Sequence, residues 1–235
     1  MKTILHKSAT RGQADHGWLK TNHTFSFANY YNPERIHFGM LRVLNDDWIA
    51  GGQGFGMHPH DNMEIITIPL SGVVEHKDSM GNHGIITAGE IQVMSAGTGI
   101  YHSEFNGDKT QPLSLLQIWV FPDKKNVTPR YQQISIAELE KENELFQILS
   151  PSADDQGVWI HQQAWFSLGN FTKEWEGSYQ LHNTNSGVYV FVIEGDATIS
   201  GNELSRRDGI GISEVSEIEI KAYPGTKLLI MEIPV

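Results

Sequence analysis

Apolar residues in this chain come in short runs, each closed by a turn-forming residue. Residues 39–44, 64–70, 91–94, 115–121, 187–193 and 227–233 are four to seven residues long and rich in Val, Ile and aromatic side chains. Runs of that length, broken at close intervals by Gly, Asn, Asp or Pro, predict β-strands joined by tight turns. The expected fold class is therefore all-β, an antiparallel barrel or sandwich with a few short helices. Helical patterning is confined to two places. In 135–141, Ser135 stands three residues ahead of Glu138, the spacing of a capping box, and 164–174 is a weaker candidate.

With 235 residues the chain is long enough for one large domain or two compact ones. Pro122, Pro129, the polar run between them and the predicted helix that follows mark the junction, which divides the chain into 1–132 and 133–235. A repeat runs across it. Leu70-Ser71-Gly72 leads into Val73, and Ile193-Glu194-Gly195 leads into Asp196; Gly89 follows Gly72 by seventeen residues, and Gly209 follows Gly195 by fourteen. Two barrels of one type produce such a pattern. The net charge of −11, with no Lys/Arg block, argues against direct nucleic-acid or anionic-membrane binding, which needs basic patches. The absence of Cys excludes disulfides, thiolate-bound zinc, iron–sulfur clusters and thiol nucleophiles. No run approaches eighteen apolar residues and residues 2–15 are polar, so neither a membrane span nor a signal peptide is expected, and the expected location is the cytoplasm.

His58-Pro59-His60 and His102-Ser103-Glu104 carry the chemistry. Positions two apart on a strand share a face, with Cα atoms roughly 6.5–7 Å apart. Each pair thus offers two ligands to one side, and on facing strands of a barrel four would converge. Three imidazoles and a carboxylate suit a borderline divalent ion such as Fe, Cu, Mn, Ni or Zn, not Ca or Mg. Such an ion also accounts for burying so much polarity. Gly52, Gly54 and Gly56 before His58, and Gly97 and Gly99 before His102, let the backbone bend and approach the site closely.

These segments resemble the two cupin motifs, and one branch of that superfamily more closely still. Gly17-Trp18-Leu19, the stretch from His23 to Tyr31, Leu41 to Asn45, His58-Pro59-His60 and Ser95 to Glu104 are similar to signatures of the pirin family. The resemblance implies a bicupin, two antiparallel double-stranded β-helix barrels, with one metal in the first, iron(II) foremost, held by His58, His60, His102 and Glu104. Typical cupins would use Glu64 instead. Glu64 lies four extended residues, about 13 Å, from His60, so it is expected to act as a neighbour of the site or a structural partner. Matching Gly195 to Gly72 and Gly209 to Gly89 places Leu181, Asn183, Ala222 and Pro224 at the four ligand positions of the second barrel. One metal per chain is expected.

The resemblance further implies quercetin 2,3-dioxygenase chemistry. Three neutral imidazoles and one carboxylate leave a divalent ion with a charge of about +1, which favours an anionic oxygen ligand. A flavonol would bind through its deprotonated 3-hydroxyl, Glu104 would take the proton, and dioxygen would open the central ring with loss of carbon monoxide. The expected partners are thus a flavonol-like aromatic and dioxygen, on a monomeric chain. The rival reading is a non-catalytic, metal-dependent co-regulator that binds protein partners; a different cupin reaction, without dioxygen, is a third. His23 is expected to be structural, His76 and His83 to be solvated beside a hairpin tip, and the aromatic side chains to be core. Ser95, Ser103 and Ser114 form no hydrolase triad.

Overall fold

The computed structural model describes Met1–Val235, almost all of it strand and turn. The first half contributes β1 (Lys2–His6), β2 (Gly12–Asp15), β3 (Leu19–His23), β4 (Leu41–Ile49), β5 (Gly54–His60), β6 (Glu64–Ser71), β7 (Val73–Asp78), β8 (His83–Thr87), β9 (Glu90–Ser95), β10 (Ile100–Asn106), β11 (Leu113–Val120) and β12 (Arg130–Ser135). The second contributes β13 (Leu145–Ser150), β14 (Val158–Trp159), β15 (Trp165–Phe171), β16 (Trp175–Gln180), β17 (Ser186–Glu194), β18 (Asp196–Ile199), β19 (Asn202–Ser205), β20 (Gly209–Ser213), β21 (Glu217–Ala222) and β22 (Thr226–Pro234). They form two pairs of sheets. One pair is β12-β9-β6-β11-β4-β3-β2 with β5-β10-β7-β8; the other is β1-β20-β17-β22-β15-β13-β14 with β16-β21-β18-β19. The halves exchange edge strands: β1 borders the second large sheet, and β12, which runs across positions 132 and 133, borders the first.

Both predicted helices are corrected. Residues 164–174 contain β15, which pairs antiparallel with β13 and β22. At 135–141 the chain leaves β12 and makes a single turn, closed by Leu139 and Glu140 N–H on Ile136 O. A cap cannot sustain a helix that has only one turn to propagate. The only helical element is the 3-10 turn Ser8–Thr10.

Strand alternation divides the buried side chains between two environments. Ile66 and Ile68 on β6, Ile91 and Val93 on β9, and Leu116, Ile118 and Val120 on β11 face the other half. With Phe146, Ile148, Tyr189, Phe191, Leu229 and Met231 they join one 25-residue apolar cluster between the large sheets. The opposite faces line the two sandwich interiors, which differ. The second holds a continuous 15-residue apolar cluster. The first holds clusters of 6 and 4 residues, and buried Thr67, His76, Gln92, His102 and Glu104 lie on the strands between.

The repeat is visible in the turns and the register. Gly72 and Gly195 both take positive φ, +83° and +75°, between matching strands. From that anchor His76 matches Ile199, whose cross-strand partner is Ile220 where that of His76 is Glu104. Continuing along β21 and across to β16, Ile218 and Tyr179 match His102 and His58, with Leu181 beyond at the place of His60. Both anchors are therefore out of register at the ligand positions: Leu181 stands at the place of His60 and not of His58, and Asn183, Ala222 and Pro224 fall outside the four. The left-handed residue that matches Gly89 is Arg207, at φ +68°. The second interior fills the four ligand positions with Tyr179, Ile218 and Ile220, members of its apolar cluster, and Leu181, half-buried against it.

Glu64 belongs to the junction between the halves. It is 1% exposed, accepts a hydrogen bond from Ser95 Oγ at 2.7 Å and another from the His161 backbone, and lies near Arg130. Arg130 stacks on Trp159 at 3.8 Å and donates to the Trp159 carbonyl. Burial outweighs these partners and pushes the Glu64 carboxyl up to about 7. A carboxyl raised in the folded state contributes stability that is present below its unfolded pKa and lost as pH climbs through its folded one. The swing is on the order of 3 kcal/mol. Glu64→Gln is therefore expected to melt several degrees higher relative to the parent chain at pH 8 than at pH 4.5. A melting-temperature difference that stays flat across that range would contradict this reading of Glu64.

Candidate metal centre

His58 and His60 sit on β5, and His102 and Glu104 on β10; these are hydrogen-bonded neighbours and not strands facing each other across the interior. His102 lies directly opposite His58 in the register, and a bulge separates His102 from Glu104 along this pairing. Gly54 permits the close approach: a Cβ there would collide with the Glu104 carbonyl oxygen. Gly97, at φ +49°, turns the chain into β10, and a Cβ there would collide with the Val127 carbonyl. No such crowding surrounds Gly56.

The imidazoles of His58, His60 and His102 converge, with ring centroids 4.4–4.9 Å apart and ligand atoms within 4.8 Å of one another. His58 Nδ1 lies 2.8 Å from the Gly56 carbonyl. Since a carbonyl only accepts, Nδ1 carries the proton, and the Nε2 lone pair is left for a ligand. Both ring nitrogens of His102 are buried without a hydrogen-bond partner. Burial holds His60 down to about 4 and His102 to about 2, so both rings are neutral and available as donors.

Glu104 joins His102 through a second trio that sequence reasoning missed. His76, His102 and Glu104 have ligand atoms within 4.8 Å of one another. His76 is fully buried, not solvated as expected from its place near the hairpin tip; His83 is exposed. His76 Nε2 donates to Asp78 Oδ2 at 3.2 Å, and its Nδ1 has no partner. The Glu104 carboxylate is gripped from both sides, by Thr67 Oγ1 at 3.1 Å and Gln117 Nε2 at 2.7 Å. Burial pushes its carboxyl up to about 7. Glu64 is turned away. The chain between β5 and β6 passes through Asn62 at φ +42°, which resets the alternation and points Glu64 toward the second half. His23 is a wall residue whose Nδ1 donates to Asn45 Oδ1 at 2.9 Å.

Buried donors and acceptors without partners carry a cost unless something fills their coordination. Here the unpaired nitrogens of His76 and His102 lie within one cluster of imidazoles and a carboxylate, a donor set matched to a first-row divalent ion. A resident metal therefore fits these residues.

Comparison with known proteins agrees. Residues 5–120 match the Pirin family, and residues 147–233 match the quercetinase C-terminal cupin domain. The quercetin 2,3-dioxygenase of Escherichia coli K12 is 44% identical, with 98% of each chain aligned. The chain belongs to the pirin family. A pirin-like protein of Caulobacter vibrioides is 37% identical over 94% of this chain and 95% of its own. Among solved structures, the bacterial pirin YhhW of E. coli in complex with nickel(II) superposes with a TM-score of 0.93 at 42% identity, covering 99% of both chains. This pirin thus has the two-domain cupin-type architecture, and its family implies a divalent metal.

Proposed function

We propose that this pirin is a metal-dependent dioxygenase that opens the central ring of a flavonol such as quercetin and releases carbon monoxide. The observation that carries the reading is the convergence of three imidazoles beside a carboxylate held by Thr67 and Gln117. Its name-bearing relative in E. coli supports the substrate class. We assign His58, His60, His102 and Glu104 as ligands, iron(II) as the ion, 1–132 as the metal-binding cupin barrel and 133–235 as its degenerate partner, in a monomeric cytoplasmic protein. When bound, the metal supplies a Lewis acid and a redox partner for dioxygen.

The protein's part is positioning and proton transfer. Glu104 accepts the proton of the flavonol 3-hydroxyl as general base. Thr67 and Gln117 fix the carboxylate so that its two oxygens do not rotate as the proton arrives. Trp119, edge-on to His60 at 4.8 Å and to Phe27 at 5.4 Å, forms an aromatic wall for a flat substrate, and its Nε1 is a buried donor with no protein partner. In the balanced reaction one dioxygen and one flavonol give one carbon monoxide, made of C3 with its own oxygen, and a depside that keeps both atoms of the dioxygen.

The test is oxygen uptake by chain reconstituted anaerobically with iron(II), on addition of quercetin. Stoichiometric uptake that disappears in His58→Ala supports the reading. No uptake with one metal bound per chain removes it in favour of the co-regulator reading. That alternative has its own support in exposed Met57, Tyr101 and Ile85 on the outer face of the sheet that carries the histidines.

A further inference from the structure

A cavity of about 510 Å³ opens on the β3–β4 side of the first interior, walled by Trp18, Phe27, Tyr30 and Phe55 and floored by Thr21 and Asp47. Its volume is that of a typical small-molecule site. It contains none of the four assigned ligands, yet it adjoins them. Phe27 packs on Trp119, which packs on His60. Asn45, another wall residue, stands opposite Gln117, which grips Glu104.

Asp47 is the anomaly in this wall. It is 7% exposed, and its Oδ1 is buried with no hydrogen-bond partner. The Thr21 side chain is the hydrogen-bond partner of the carboxyl, and Arg11, a cation that acts on it, forms its salt bridge with Asp46 instead. Alternation along β4 sends Asp46 and Trp48 outward and Asn45 and Asp47 inward, so this carboxyl faces the aromatic walls. A buried carboxyl oxygen without a donor is costly. Aromatic walls around one unpaired acceptor call for a flat ligand that carries a hydroxyl at its edge.

We propose that this cavity is a second substrate subsite, in which the Asp47 carboxyl accepts a hydrogen bond from a phenolic hydroxyl of a planar aromatic ligand. The identity of that ligand as a flavonoid rests on the dioxygenase reading; the recognition of a hydroxylated ring by Asp47 does not depend on turnover. The carboxyl is thus a specificity-determining group.

The experiment measures binding without chemistry. Flavones lack the 3-hydroxyl and so cannot enter the proposed reaction. Unsubstituted flavone, chrysin (two hydroxyls on the fused ring) and luteolin (two more on the pendant ring) are titrated into nickel-loaded protein, followed by quenching of tryptophan fluorescence and by calorimetry. In the parent chain at least one hydroxylated flavone is expected to bind tenfold or more tightly than flavone itself. Asp47→Ala is expected to abolish that preference while leaving flavone affinity within a few-fold, and Asp47→Asn, which keeps an acceptor, to restore part of it. Equal binding of all three ligands by the parent chain, or no binding at all, overturns the proposal without any variant needing to fold. So does an Asp47→Ala chain with the parent's melting temperature and undiminished preference. A chain with the preference and no oxygen uptake keeps the subsite and loses the dioxygenase; uptake without the preference does the reverse.

Discussion

His102→Ala is expected to weaken metal binding by more than ~10²-fold and to abolish oxygen uptake. Loss of a group that merely orients a ligand costs 10–100-fold in metal affinity, and His102 is more than that. It is the one residue common to both trios, paired with His58 and His60 on one side and with His76 and Glu104 on the other. Its removal breaks both. The same change should leave the metal-free fold almost untouched, because neither ring nitrogen makes a hydrogen bond to the protein. Taking away two unsatisfied buried polar atoms offsets part of the cavity left by the ring. In the parent chain, metal at a hundred times its dissociation constant adds about 2.7 kcal/mol, or roughly 5–10 °C of melting temperature for a chain of this length. In His102→Ala that rise should vanish while the metal-free melting temperature stays within a few degrees. Calorimetric titration with nickel(II) and melting curves with and without metal decide the matter. A variant that takes up metal within a few-fold of the parent's affinity would show that His102 is not a ligand.

What could be read from the sequence was whatever is encoded at strand spacing. His58 with His60 and His102 with Glu104 are two apart, each preceded by glycines, and that alone puts each pair on one face. Two things were out of reach. One was which strands are neighbours: β5, β10 and β7 lie side by side, and only that adjacency brings His76 into the cluster. Val74, His76 and Asp78 do alternate onto one face, but nothing local says which face it is. The other was the effect of single left-handed residues. Asn62 flips Glu64 away from the metal cluster, and Arg207 holds the turn that seemed to need Gly209. A one-residue change in phase reverses every side chain beyond it, so counting even and odd positions through a loop decides nothing. The helix expected at 164–174 failed for a related reason. Its Trp165, Phe166 and Phe171 pack as strand residues against partners far along the chain, and such pairing overrides weak local preference.

Glu104→Gln tests the proposed base while sparing the architecture. The single hydroxyl proton of Thr67 lies within reach of both Glu104 Oε1 and Gln117 Oε1, at 3.1 Å each, and Gln117 Nε2 donates to Glu104 Oε2 at 2.7 Å. An amide at position 104 can accept from Gln117 with its oxygen and donate to Thr67 Oγ1 with its nitrogen, while Thr67 turns its own proton to Gln117. Every partner stays satisfied, so the fold and the three imidazoles are retained. What disappears is a negative charge and a proton acceptor. Removal of a general base typically costs 10²–10⁴-fold, and turnover of quercetin under saturating metal is expected to fall by that amount. Metal affinity should fall less than in His102→Ala, since all three histidines remain. The two contributions separate in the substrate: quercetin supplied at a pH where its 3-hydroxyl is already ionised needs no base, and the variant should recover part of its rate there relative to the parent chain. A deficit that stays constant across that range would assign Glu104 to metal binding alone. Full activity in a metal-saturated variant would remove it from the chemistry and shift attention to His76, whose unpaired Nδ1 faces the same cluster.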